Sequence, residues 1–200
     1  MAKVTVDTDR LRAEVKGKYT EVVEHPDATF HFHTGLRAAA NAGYREEWLE
    51  GLPKSAVASF AGVANPFHWG LPHPGEHVVE VGSGAGLDAL IAARAVGPKG
   101  AVIGVDMTPA MLDRARAAAE EAGLTNVDFR EGLAERLPVS AEWADLVISN
   151  GVINLVPDKV GAYRQIARAL RPGGTVQVAD ICVDRPIPES ALADIDLWTG

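Results

Sequence analysis

The residues best suited to chemistry form one run, Glu80-Val81-Gly82-Ser83-Gly84-Ala85-Gly86, with an isolated acid, Asp106, further along. A β-branched segment, Val78–Val81, breaks into three glycines and then into an alanine-rich helical pattern from Leu87. That order predicts a strand, a tight turn and a helix N-terminus, where free backbone N–H groups and the positive end of the helix dipole collect. Glycine lets a ligand approach the main chain without meeting a Cβ. A second strand pattern, Ala101–Val105, ends at Asp106, and an acid at such a strand end is suited to accept hydrogen bonds from ribose hydroxyls. Together these residues imply a site for an adenosine-containing ligand.

Spacing narrows the choice. A dinucleotide fingerprint runs G-x-G-x-x-G, but here the third glycine comes one residue early, at Gly86. Other groups stand nearby in the pattern. His31 and His33 flank Phe32 and share one side of an extended segment, as a substrate-facing base or hydrogen-bonding pair. Two histidines make an incomplete metal set, so no metal site is assigned. Asn150 follows the strand pattern Asp145–Ser149. Cys182 is the single cysteine and reads as a small buried hydrophobe. Trp69, after the Asn65-Pro66 turn, reads as packing. Asp88 reads as a charge complementing its helix N-terminus, and Arg114, Arg116, Glu120 and Glu121 as a solvated helix face.

The elements that position these groups follow from periodicity. Leu11, Val15, Tyr19 and Val22 mark an amphipathic helix capped by Asp9 and stopped at His25-Pro26. Phe30–Thr34 reads as briefly extended, with short helical patterns over 36–41, 44–50 and after Pro53. Residues 1–74 are thus expected to form a helical N-terminal cap layer, and residues 75–200 a core of alternating strands and helices. In that core a helix at Pro109–Ala122, capped by Thr108 and stopped by Gly123, precedes a strand at Val127–Arg130. A helix at Asp158–Leu170 precedes a strand at Thr175–Ala179, and a last helix is expected over Glu189–Trp198. This is an α/β class pattern, a doubly wound, mostly parallel Rossmann-like sheet binding ligands at its carboxyl edge.

Composition excludes several functions. With 200 residues, 47% hydrophobic, the chain can bury one domain-sized core. A formal net charge of −8 disfavours nucleic-acid binding. One cysteine rules out an internal disulfide framework. The sequence shows no signal-peptide pattern and no long apolar run, so a cytoplasmic protein without membrane attachment is expected.

From His77 to Asp180 the chain resembles class I S-adenosylmethionine-dependent methyltransferases. The likeness rests on the acid-x-G-x-G-x-G order, Gly104–Pro109, Leu137-Pro138 and Leu170–Gly174. It implies S-adenosylmethionine as cofactor. Glu80, Gly82, Ser83, Gly84 and Gly86 would then flank its methionine part, with Asp106 holding the ribose. Met107 would pack on the adenine, Gly132 and Leu133 would lie beside the ring, and Asn150 would line the methyl group. Many relatives carry an acid where Leu133 stands.

A narrower likeness, over Tyr44–Pro53, Asn65-Pro66 and Ser149–Lys159, is to arsenite methyltransferases. Those enzymes hold a soft metalloid with thiolates. Gly151 stands in one thiolate place and Gly62-Val63-Ala64 in another, and a further cysteine is expected just beyond Trp198, where the sequence ends. The resemblance thus implies methyl transfer to a small-molecule acceptor on an arsenite methyltransferase-like scaffold. Alternatives are arsenite or another metalloid held by Cys182 with an exogenous thiol, a non-catalytic cofactor-binding protein, or a nicotinamide-dependent oxidoreductase. Class I sheets have seven strands, and the last hairpin reads as missing here. An open sheet edge predicts a homodimer.

Overall fold

The computed structural model describes residues 6–25, 28, 30, 33–185 and 198. Five strands form one parallel sheet: β1 (His77–Val81), β2 (Ala101–Asp106), β3 (Val127–Glu131), β4 (Ala144–Asn150) and β5 (Leu170–Ala179), in the order β3-β2-β1-β4-β5. Strand order reverses between β1 and β4, which opens a crevice at their carboxyl ends. Alternation along β1 sends Val78 into one core and Val79 and Val81 into another on the opposite face. Burial on both faces explains why β2 and β4 read as nearly continuous apolar runs.

The helices are α1 (Thr8–Glu24), α2 (Gly35–Asn41), α3 (Glu46–Leu49), α4 (Lys54–Ala58), α5 (Leu87–Val96), α6 (Pro109–Glu121) and α7 (Lys159–Ala169). The cap of α1 is Asp7, not Asp9: its carboxylate accepts the Arg10 N–H at 3.1 Å, and Asp9 lies inside the first turn. Strand β5 begins five residues earlier than its sequence pattern suggests. Leu170 pairs with Ala144, the chain bulges through Pro172-Gly173-Gly174, and pairing resumes at Thr175 with Leu146. Gly173, at φ +81°, supplies the left-handed residue of that bulge.

The N-terminal layer is tied to the sheet by packing and by side chains read earlier as merely solvated. Tyr44, Leu52, Ala56, Phe60 and Phe67 share one core with Leu87 and Leu90 of α5. Arg114 of α6 donates to the Val23 carbonyl of α1 at 3.3 Å, whereas Arg116 ties α6 to β3 by donating to the Phe129 carbonyl at 2.9 Å. Glu120 and Glu121 are exposed as expected. The expected helix at Glu189–Trp198 falls, except for Trp198, outside the described residues. Among those residues, no helix is long and apolar enough to cross a membrane.

Candidate active site

The glycine loop curls back onto the end of β2 and spends its own amides. The Gly82 and Ser83 N–H groups both donate to the Val105 carbonyl, at 2.7 and 3.0 Å. Gly84 N–H donates to Asp106 Oδ2 at 2.8 Å, and Gly86 N–H to the Ser83 carbonyl at 2.8 Å. At these four positions the expectation of free N–H groups is therefore corrected. Asp106 Oδ1 accepts the Thr108 N–H at 2.8 Å, so this carboxylate fixes the loop against the β2 terminus.

Gly82, Ser83 and Gly84 face a cleft of about 1050 Å³, open mouth included. Glu80, Asp106, Met107, Gly132, Leu133 and Asn150 line the same cleft. Leu11, Val15 and Tyr19 of α1 cover it, which gives the N-terminal layer its contact with the site. Gly86 stands behind the loop: a Cβ there would meet Phe129 at 2.9 Å and Ala115 at 3.0 Å. This glycine serves the packing of α5 on its neighbours.

A buried hydrogen-bond network joins the cleft to the N-terminal layer. Tyr44 Oη donates to Asp88 Oδ1 at 2.6 Å, and Asn150 Nδ2 donates to Asp88 Oδ2 at 3.1 Å and to Tyr44 Oη at 3.0 Å. Asn150 Nδ2 also reaches the Ala64 carbonyl at 2.9 Å, while its Oδ1 accepts the Val63 and Ala64 N–H groups at 3.0 and 3.2 Å. The carboxamide is thus saturated by protein and clamps the 62–65 segment to the end of β4. Gly62 is required beside it, because a Cβ would overlap the Asn150 side chain. Asp88 does more than complement a helix dipole.

Three carboxylates converge here. Burial first, then repulsion from Asp88 and Asp106, pushes the Glu80 carboxyl well above its usual range, against a bond from the Ala89 N–H. Burial raises Asp88 to about 6, opposed by its bonds from Tyr44 and Asn150. Asp106 is raised by burial and held back by bonds from Thr108 and Gly84. Burial, then Asp106 and Asp180, pushes Tyr19 up to about 12, so it stays a neutral phenol. Two buried atoms of the cleft, Glu80 Oε2 and Ser83 Oγ, have no hydrogen-bond partner in the protein.

Other candidate residues lie elsewhere. His33 is exposed and outside the cleft lining, and His31 is outside the described residues. Cys182 is exposed, contrary to its expected burial, because it follows the end of β5 instead of entering the core. Trp69, 84% exposed, does not pack as its type suggests, because the turn that carries it buries Pro66 and Phe67 instead. Gly151, at φ +69°, faces Val63: a Cβ on Gly151 would stand 3.0 Å from Val63 Cγ1. These residues come from the two places where the arsenite methyltransferase likeness expects thiolates. Tyr44 was missed as a site residue. It lies in the 44–53 stretch of that likeness, which carried no chemical signal of its own.

A family model described as "Methyltransferase domain" matches residues 72–198, more than half of the chain. The chain belongs to that family and is a class I, Rossmann-like, S-adenosylmethionine-dependent methyltransferase domain. Within that class it is similar to arsenite methyltransferases. The Halobacterium salinarum enzyme of that name is 45% identical over 139 residues, 70% of this chain and 36% of that protein. The Mus musculus one is 29% identical over 205 residues, 96% of this chain and 53% of that protein. The crystal structure of an arsenic(III) S-adenosylmethionine methyltransferase from Chlamydomonas reinhardtii superposes with a TM-score of 0.66 at 38% identity, covering 73% of this chain and 51% of that one. The chain spans between about a third and a half of the length of these relatives.

Proposed function

We propose that this chain binds S-adenosylmethionine in the cleft between β1 and β4 and directs its methyl group to a small-molecule acceptor. One observation carries the reading: buried carboxylates converge on a loop whose amides at 82, 83, 84 and 86 are already spent. A pyrophosphate would meet repulsion and no anion cradle there, whereas a ligand bearing ammonium, sulfonium and ribose hydroxyls meets acceptors. The residues present fit the group. Glu80 Oε2 and Ser83 Oγ offer unpaired polar atoms, and the open side of Gly84, where a Cβ would meet only Met111 at 3.9 Å, leaves room for it.

When bound, the sulfonium supplies an electrophilic methyl group whose C–S electron pair returns to sulfur. The protein need not protonate that leaving group, so its work is alignment and exclusion of water. Glu80, Gly82, Ser83 and Gly84 hold the methionine part, Asp106 the ribose, and Met107, Gly132 and Leu133 the adenine. Gly86 acts indirectly by packing the loop. Asn150 acts as a positioning residue, holding the 62–65 segment beside the acceptor. The N-terminal layer, residues 1–74, is proposed to cap the core of residues 75–200, with His31 as a base or hydrogen-bonding residue; His33, exposed and outside the cleft lining, takes no part in this reading.

A cytoplasmic homodimer without nucleic-acid partners completes the reading, with Val176 and Val178, 45% and 36% exposed on β5, as its contact. The test is calorimetric titration with S-adenosylhomocysteine and, in parallel, NADH. Micromolar binding of the first alone supports the proposal; binding of NADH alone overturns it. An arsenite-dependent methylation assay decides between an organic acceptor and a metalloid.

A further inference from the structure

A second cavity, about 510 Å³ with its mouth, adjoins the cofactor cleft and shares Val15, Tyr19, Ala61, Gly151 and Leu155 with it. Val63, Ile181 and Trp198 add further apolar wall, and Lys18 and Asn154 are its other lining residues. Two of the apolar side chains are open to solvent, Val63 at 42% and Ile181 at 59%. Apolar groups left uncovered around a concavity mark a surface completed by a ligand.

Asn154 gives this cavity its polar specificity. The backbone of Asn154 is fixed on both sides, its N–H donating to Asp180 Oδ2 at 3.1 Å and its carbonyl accepting from Lys159 Nζ at 2.8 Å. Its side-chain Oδ1 is nonetheless buried without a partner. A buried carboxamide oxygen left unpaired is destabilising, and that penalty is removed when a ligand brings a donor. Asn154 lines the cavity, and its terminal torsion is soft, so its carboxamide can receive a donor that enters there. Where the related enzymes' likeness expects thiolates, the wall is Val63 against Gly151, which offers a soft metalloid no ligand.

We infer that this cavity is the acceptor subsite and that it takes an apolar, aromatic-sized organic molecule carrying one O–H or N–H donor, which Asn154 receives. The inference deepens the methyl-transfer reading by naming the class of its acceptor, but binding at the subsite does not itself require the cofactor.

The test measures equilibrium binding of 1-naphthol and of 1-methoxynaphthalene, the same ring without the donor, to the full chain. Wild type should favour 1-naphthol at least tenfold. Asn154→Leu, and the smaller Asn154→Ala should the first fold poorly, should abolish that preference while S-adenosylhomocysteine binding stays unchanged. Equal affinity of the two probes in wild type, or a preference retained in both variants, overturns the inference. A preference that persists in wild type while S-adenosylhomocysteine fails to bind keeps the subsite and removes the methyl-transfer reading.

Discussion

The Tyr44 hydroxyl lies 2.6 Å from Asp88 Oδ1, a buried bond between the N-terminal layer and the helix that leaves the glycine loop. The two residues are far apart in the chain, and Asn150 at the end of β4 joins both. One network therefore couples three parts of the fold at the cleft. Tyr44→Phe keeps the ring packing against Phe60 and Trp48 and removes the hydroxyl that donates to a buried carboxylate and accepts from Asn150 Nδ2. The expected cost is about 2 kcal/mol, seen as a lower urea midpoint at unchanged slope. A midpoint equal to wild type would show that the bond contributes nothing.

The same carboxylate sets a pH dependence. Burial holds Asp88 at about 6 in the folded chain against 3.8 for a free aspartate. Between those values the folded state keeps a proton that the unfolded state has released. Stability from this group therefore falls as pH rises from about 4 to 6 and is regained on acidification. From pH 7 to pH 5 the gain should be about 1 kcal/mol. Glu80, raised in the same direction, adds to it. Asp88→Asn should flatten the urea-unfolding profile across this window, and a variant as steep as wild type would remove Asp88 as the source.

Two neighbouring glycines should separate folding from binding. A Cβ at Gly82, at φ +73°, would overlap Val152, so Gly82→Ala should impair folding outright. At Gly84, at φ +50°, a Cβ would meet only Met111 at 3.9 Å and would otherwise enter the cleft. Gly84→Ala should lose about 1–2 kcal/mol of stability from its left-handed backbone and bind S-adenosylhomocysteine at least tenfold more weakly. Unaltered affinity in a folded Gly84→Ala would place the ligand away from this loop.

These contrasts mark what a linear reading can reach. The strands were legible because Val78, Val79, Val81 and Leu146–Ile148 are buried on both faces of the sheet, where apolar residues are needed. The position of Asp106 at the cleft was legible because it ends the β2 pattern, and ligand clefts of parallel sheets open at strand carboxyl ends. The start of β5 was not, since Pro172-Gly173-Gly174 reads as a turn and becomes a bulge only when Ala144 pairs with Leu170. Tyr44, Asp88 and Asn150 were not legible as a unit either. Their relation is a distance across the fold, and no local pattern encodes it.

The exposed apolar side chains of β5 predict self-association. Among the described residues β5 pairs with β4 alone, and Val176 and Val178, two residues apart, lie on one side of it. Sedimentation velocity should show a dimer, and Val176→Lys with Val178→Lys should return a monomer. A wild-type chain that stays monomeric at high micromolar concentration would contradict the contact.

The apposition of Val63 and Gly151 predicts how the acceptor could be exchanged. Thiolates bind trivalent arsenic where uncharged methyl groups and a bare Cα cannot. Val63→Cys introduces one thiol at a half-exposed position where it faces Gly151. Adding Gly151→Cys places a second opposite it, at a backbone cost of about 1–2 kcal/mol for the left-handed residue. Replacing Val63 also removes the branched side chain that a Cβ at 151 would crowd, so the double variant should tolerate the change better than Gly151→Cys alone. Phenylarsine oxide titrated into Cys182→Ser backgrounds should bind the double variant with micromolar affinity and wild type not at all. Equal binding to both proteins would place arsenic recognition outside the Val63–Gly151 contact.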